Sequence, residues 1–242
     1  MKKPFSRDLI KLTAIIAMTL CHISVIFLEP SAGADLMRAL ASYTAAAMCW
    51  FVVEGVRKSK DLAAYGKRLA GFALISQVPY CLAFTKDQVI TWQGMNMIYT
   101  LLMIFMMALF MQTEAERKWR IVLTMAAAAA SLAGDWAGYA ALFGLLFIWA
   151  GEDKNRQILS FLISFLIHFA AVFCHRMLFG AGIGPAAGEA FIQGAGILLA
   201  GLMIVFLYNG KRWRHASFWK WFFYIYYPLH LTILGIIRLI CT

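Results

Sequence analysis

The chain has 242 residues, 62% of them hydrophobic and 14% charged, against about 25% charged for an ordinary soluble domain. Long apolar runs recur from end to end, which excludes a water-soluble globular fold and indicates a polytopic helical membrane protein. The formal charge of +10 does not indicate nucleic-acid binding, because the cations collect in the short segments between apolar runs.

Nine spans are predicted, near 9–28, 36–55, 69–85, 95–113, 121–134, 137–150, 157–178, 191–207 and 220–240. They make one all-α transmembrane bundle, a single domain over 1–242. The first run is too long for a signal-peptide core and no small-residue cleavage site follows it, so it is expected to stay as a span. With the N-terminus in the cytoplasm, 18 of the 22 Lys and Arg, from Lys2 and Lys3 onward, fall on the cytoplasmic side. Arg38, Lys86, Arg176 and Arg238 fall on the other, with the acidic Glu29, Asp35, Asp87, Asp135 and Glu189. The cysteines are scattered through apolar runs with no pairing rhythm, so they read as small buried hydrophobes, not as a disulfide or metal framework.

In the first span, Lys11 and His22 are eleven residues apart. At 3.6 residues per turn they return to within roughly 20° of one face, separated by a rise of roughly 16 Å. A cation at the rim and an imidazole deep in hydrocarbon are costly, and such groups mark function by default. A cation suited to phosphates and a base about one pantetheine arm away suggest acyl transfer from a coenzyme A thioester. Cys21 is adjacent to His22 and therefore points about 100° away, which argues against a Cys–His dyad. The other reading of His22 is a neutral core histidine satisfied by another helix.

Along the rest of the chain, Pro79 in the third span and Pro228 in the ninth each remove a backbone donor and are expected to kink their helices. The fifth and sixth spans are short and meet at Gly134-Asp135-Trp136, as in a re-entrant hairpin or a tight outer loop. Asp135 there is a candidate for orienting an acceptor or a solvated loop carboxylate. His168 and His175 share a face of the seventh span without a third ligand, so no metal is expected. The glycine-rich stretch 180–188 reads as an outer loop. Asn209, Lys211 and Arg212 close the eighth span and, with Lys11 and Arg68, would make a cationic rim for nucleotide phosphates, or serve only to orient the chain. Near mid-bilayer in the ninth span, His230 lies one turn from Tyr226 and Tyr227; the group either holds a carbonyl or orients His22, or it fills space.

Seven blocks in order then resemble the TraX family of membrane proteins, linked to acetylation of conjugative pilin, and through it a superfamily that O-acetylates surface sugars. They are Lys11 to His22, 51–55 with Glu54-Gly55, 65–80 with Arg68, Gln77 and Pro79, 96–101 with Asn96 and Tyr99, 135–139 with Asp135 and Tyr139, 208–212, and 223–231 with Tyr227, Pro228 and His230. The resemblance implies a catalytic histidine at His22 and a donor-side cation at Lys11. It departs from the family where Cys21 stands in place of an Asp before the histidine, and where Ala41-Ser42 and Ala46 replace a Gly-Arg and a Pro.

The expectation is an acyltransferase of the bacterial cytoplasmic membrane, using acetyl-CoA and no metal. Lys11, Arg68, Asn209, Lys211 and Arg212 would face the donor, and His22, Asp135 and His230 would carry the chemistry. Gln77, Asn96, Tyr99, Tyr139 and Tyr227 would lie on the acceptor side. The acceptor is left as a pilin or other peptide, a surface sugar or a lipid headgroup. The alternative is a proton-coupled transporter that uses the intramembrane histidines.

Overall fold

The computed structural model describes residues 3–29, 31–85 and 90–241. Lys2, Lys86 and Asp87, used above to orient the chain, lie outside the described residues. Among those described there are nine α-helices, one for each apolar segment read from the sequence: α1 (Arg7–Phe27), α2 (Ala32–Lys58), α3 (Leu62–Phe84), α4 (Met97–Gln112), α5 (Arg117–Ala130), α6 (Tyr139–Ala150), α7 (Lys154–Leu178), α8 (Ile183–Gly201) and α9 (Ala216–Cys241). A 3₁₀ turn, Ser131–Ala133, follows α5, and a stretch of π-helix, Leu202–Leu207, continues α8. Five helices are long and apolar enough to cross a membrane by length and composition: α1, α2, α7, α8 with its π extension, and α9. Large apolar side chains such as Leu74, Val78 and Leu166 are exposed, as expected where the surrounding medium is lipid.

The chain divides into two compact units, one of Met1–Met48 and Trp149–Trp213, the other of Cys49–Ile148 and Arg214–Thr242. In the first unit α1 is clasped to the first part of α2 by hydroxyls. Thr13 Oγ1 and the Tyr43 hydroxyl are 2.6 Å apart, Thr44 Oγ1 donates to the Ala14 carbonyl and Ser24 Oγ donates to the Ala34 carbonyl. Arg38 closes the end of α1 by donating to the carbonyl of Leu28 and to that of Ser24, which also accepts from the Leu28 N–H. Gly196 of α8 meets α2 where an added Cβ would fall 2.5 Å from the Tyr43 backbone nitrogen. α7 packs on α8.

In the second unit α3 packs on α9 and α4, and α4 on α5. Gly235 brings α9 against Leu82 and Ala83, and Arg238 donates to the Leu82 carbonyl in the last turn of α3. Pro79 and Pro228 both sit inside continuous helices. The glycine-rich stretch differs from its expected loop: α8 already begins at Ile183, with Gly182 as its N-cap. Pro185 falls in the first turn, where its missing N–H leaves no hydrogen bond unmade, so the composition of a loop is compatible with a helix start.

The close approach at Gly196 and the open surroundings of Gly188 in the same helix make a matched pair. Gly196→Ala is expected to destabilise by about 1–3 kcal/mol through overpacking. Gly188→Ala is expected to stabilise by about 0.5–1 kcal/mol through helix propensity. Thermal unfolding in detergent checks both signs.

Candidate functional site

Lys11 and His22 stand on one unbroken helix, α1, as their spacing predicts. The stripe between them holds Ile15 and Met18, both buried, while Lys11 and His22 are themselves half-buried. The line Lys11, Ile15, Met18, His22 follows the i, i+4, i+7, i+11 rule of one helix face. Cys21 is buried to one side of it.

The start of this helix is held by a segment nearly 200 residues further on. Phe5 and Tyr208 form a β-bridge: the Phe5 N–H donates to the Leu207 carbonyl at 3.0 Å and the Asn209 N–H to the Phe5 carbonyl at 2.8 Å. The Arg7 N–H then donates to the Lys211 carbonyl at 2.9 Å, and the Trp213 N–H donates to Asp8 Oδ2 at 2.7 Å. Ser6 caps the helix by accepting from the Leu9 N–H. Asp8, in the first turn and buried, complements the positive end of the helix dipole while fixing the distant strand.

Lys211 and Arg212 therefore lie beside the first turn of α1, one turn before Lys11. Asn209 contributes through structure: its Oδ1 accepts from the Lys211 N–H and shapes the turn, with Gly210 at φ +74°. Sequence reasoning missed Asp8. A lone acidic residue among the cations of the N-terminus was the available signal.

The second unit gathers another set of the expected residues. Asn96 is the N-cap of α4 and is fully buried. Its Oδ1 accepts from the N–H groups of Ile98 and Tyr99, and the Tyr227 hydroxyl accepts from the Met97 N–H. The three first-turn donors of α4 are thus all satisfied. Asn96 Nδ2 donates to the Ala73 carbonyl and to Gln77 Oε1, and Gln77 Nε2 donates to the Gly94 carbonyl and to Cys81 Sγ. Both amides were expected on the acceptor side; the structure commits all their polar hydrogens to holding α4 on α3.

Asp135 lies directly against this assembly. Met95 and Gly134 form a β-bridge, with the Asp135 N–H donating to the Met95 carbonyl at 2.8 Å. Thr100 Oγ1 donates to the Asp135 carbonyl, and an added Cβ at Gly134 would collide with that same hydroxyl oxygen. The Tyr99 hydroxyl ties in the preceding turn by donating to the Ala130 carbonyl. Trp136 has φ +59°, a backbone region where a bulky residue costs about 1–3 kcal/mol. Its N–H donates to Asp135 Oδ1 at 2.9 Å, and its ring meets Tyr139 edge-on at 6.4 Å. The hydroxyls of Tyr80 and Tyr227 are within electrostatic reach of the Asp135 carboxyl. Burial pushes that carboxyl up to about 6, against the opposing pull of the Trp136 N–H.

His230 is buried, with Nδ1 2.9 Å from the Tyr226 carbonyl, its ring stacked on Tyr226 and edge-on to Tyr227. Arg68 lies over the ring of Tyr65, with its Nε buried and lacking a hydrogen-bond partner. Lys11, His22, Asn209, Lys211 and Arg212 thus belong to the first unit, and Arg68, Gln77, Asn96, Tyr99, Asp135, Tyr139, Tyr227 and His230 to the second. Among the described residues no group of three or more His, Cys, Asp or Glu could hold a metal ion.

The raised carboxyl of Asp135 sets a direction for stability. Between about 4 and about 6 the folded protein keeps a proton that the unfolded chain has lost, so stability falls as pH rises through that window and is flat above it. Asp135→Asn is expected to flatten the curve, read as unfolding midpoints at pH 4.5 and pH 7 for the two proteins.

A family model described as "TraX protein" matches residues 6–238. The "Probable fimbrial assembly protein FimC, serogroup H1" of Dichelobacter nodosus is 27% identical over 237 residues, covering 95% of this chain and 94% of its own length. No solved structure matches. With the match running from the N-cap of α1 to the last turn of α9, the chain belongs to the TraX family.

Proposed function

We propose that the protein is a membrane acyltransferase that moves an acetyl group from cytoplasmic acetyl-CoA to an acceptor on the outer side of the bacterial inner membrane. The observation that carries this reading is the stripe of α1. It has a cation near one end and an imidazole roughly 16 Å further along the same face, with Lys211 and Arg212 bonded beside the helix start.

In this reading Lys11, Lys211 and Arg212 hold the phosphates of the donor by charge-assisted hydrogen bonds. His22 takes the proton of the acceptor hydroxyl or amine as that atom attacks the thioester carbonyl. The C–S bond breaks, and His22 returns the proton to the departing thiolate. In a two-step path the imidazole of His22 instead attacks the thioester carbonyl and releases the thiolate; the acceptor then displaces the imidazole from the acetyl group, and its proton passes to the thiolate. In the second unit, taken by itself, Asp135, Tyr139, Tyr227 and His230 are the groups suited to contact an acceptor, and Gln77 and Asn96 position the segment that carries Asp135. The name of the Dichelobacter nodosus relative supports a pilus subunit as acceptor over a sugar or a lipid headgroup.

His22→Ala in native membranes is expected to lower acetyl transfer by about 10²–10⁴-fold, the range of a lost general base, while coenzyme A still binds. Full activity of that variant sinks the proposal. Lys11→Ala is expected to weaken coenzyme A binding to purified protein by about tenfold, as loss of one phosphate contact would. The check is titration calorimetry, and unchanged affinity removes Lys11 from the donor site.

A further inference from the structure

α9 turns two neighbouring rows of side chains outward. Phe218, Phe222 and Tyr226 follow one another at four-residue intervals, with ring centres 6.1 and 5.7 Å apart. Trp221, Ile225 and Leu229 make the adjacent row at the same interval. Between the rows runs an apolar groove of about 380 Å³. Phe218, Trp221, Ile225 and Leu229 are exposed along it. In a helix pair such a groove receives a ridge of the partner helix; here it stays open.

From Phe218 to Leu229 the groove rises about 17 Å, close to the depth of one leaflet of a hydrocarbon core about 30 Å thick. Spread over that length, its section is on the order of 20 Å², room for one hydrocarbon chain and not for a helix about 10–12 Å across. Its walls are braced: Trp221 meets Phe72 of α3 with ring centres 6.3 Å apart. Its head is cationic. Arg214 and His215, both exposed, immediately precede α9, and the exposed Lys220 holds its ammonium 5.5 Å from the centre of the Trp221 ring. No Asp or Glu follows Glu189 in the chain, so no acidic side chain of this segment offsets those charges. Tryptophan and lysine together mark the level at which hydrocarbon gives way to headgroups.

We propose that the groove of α9 seats one acyl chain of an anionic phospholipid whose phosphate is held by Arg214 and Lys220. The cations select the headgroup, and the aromatic row supplies the apolar contact. Tyr226, in the wall of the groove, stacks on His230 and places its carbonyl 2.9 Å from His230 Nδ1. The seated chain thus packs against the residue that orients this histidine. The site is independent of acyl transfer.

Photo-crosslinking of the full chain in phosphatidylcholine vesicles tests the site. The probes are phosphatidylglycerol and phosphatidylcholine carrying the same diazirine-bearing acyl chain, each added in trace amount. Phosphatidylglycerol is expected to label residues 217–229 at least about fivefold more than phosphatidylcholine, the factor of one cation near the headgroups. Arg214→Gln combined with Lys220→Gln is expected to bring the two probes level. Equal labelling of the native segment overturns the proposal. So does a preference that survives the double substitution, or crosslinks at this face to a second copy of the chain in place of lipid. Where the double variant does not elute as a folded species, the comparison of the two headgroups on the native chain decides alone.

Discussion

Hydrocarbon offers no hydrogen bonds, and this requirement for internal partners governs how the chain is put together. Three irregular stretches described in the protein are tied to groups elsewhere in the chain. The Gly134–Asp135 turn is bonded to Met95, the Phe5 strand to Tyr208, and the first turn of α4 to Asn96 and Tyr227. Three helices of the second unit, α4, α5 and α6, have 16, 14 and 12 residues. At 1.5 Å per residue none reaches the roughly 30 Å of a bilayer core unaided. At the Asn96 end of α4 and the turn before α6, side chains such as Asn96, Gln77 and Thr100 supply the partners.

This explains why the second unit collects so many polar residues. Asn96 and Gln77 spend every amide hydrogen on the protein, so the cost of burying them is offset by the backbone groups they satisfy. Asp135 is the exception. It receives one short hydrogen bond, from the neighbouring Trp136 N–H, and its charge is opposed by burial. A carboxyl held this way beside a tryptophan in a strained backbone conformation is where the unit departs from maximal stability.

Much of the helix plan was legible, because apolar runs of this length have few alternatives. The common face of Lys11 and His22 was legible too, since it depends only on the helical period. Asn96 was expected on the acceptor side, and its place as the N-cap of α4 came only from the structure. The tertiary ties were not legible. Asp8 and Trp213 are 205 residues apart, and Met97 and Tyr227 are 130 apart. A hydrogen bond to backbone leaves no residue-specific mark on the strand that receives it. The start of α8 was hidden for a different reason: glycine and alanine resemble a flexible loop by composition, and only packing decides that they form a helix.

The tie between Phe5 and Tyr208 also sets an order of events in the making of the protein. The first turns of α1 leave the ribosome early, but the strand that satisfies Phe5, Arg7 and Asp8 emerges about 200 residues later, some 10–40 s at ordinary rates of synthesis. Until then the start of α1 has no partner for its buried carboxylate, and the cations of 211–212 do not yet exist beside Lys11. The helix that bears His22 is inserted first and completed last. A half-made chain thus lacks the charge arrangement of the finished one, and closure of the longest loop in the first unit is the step that assembles it.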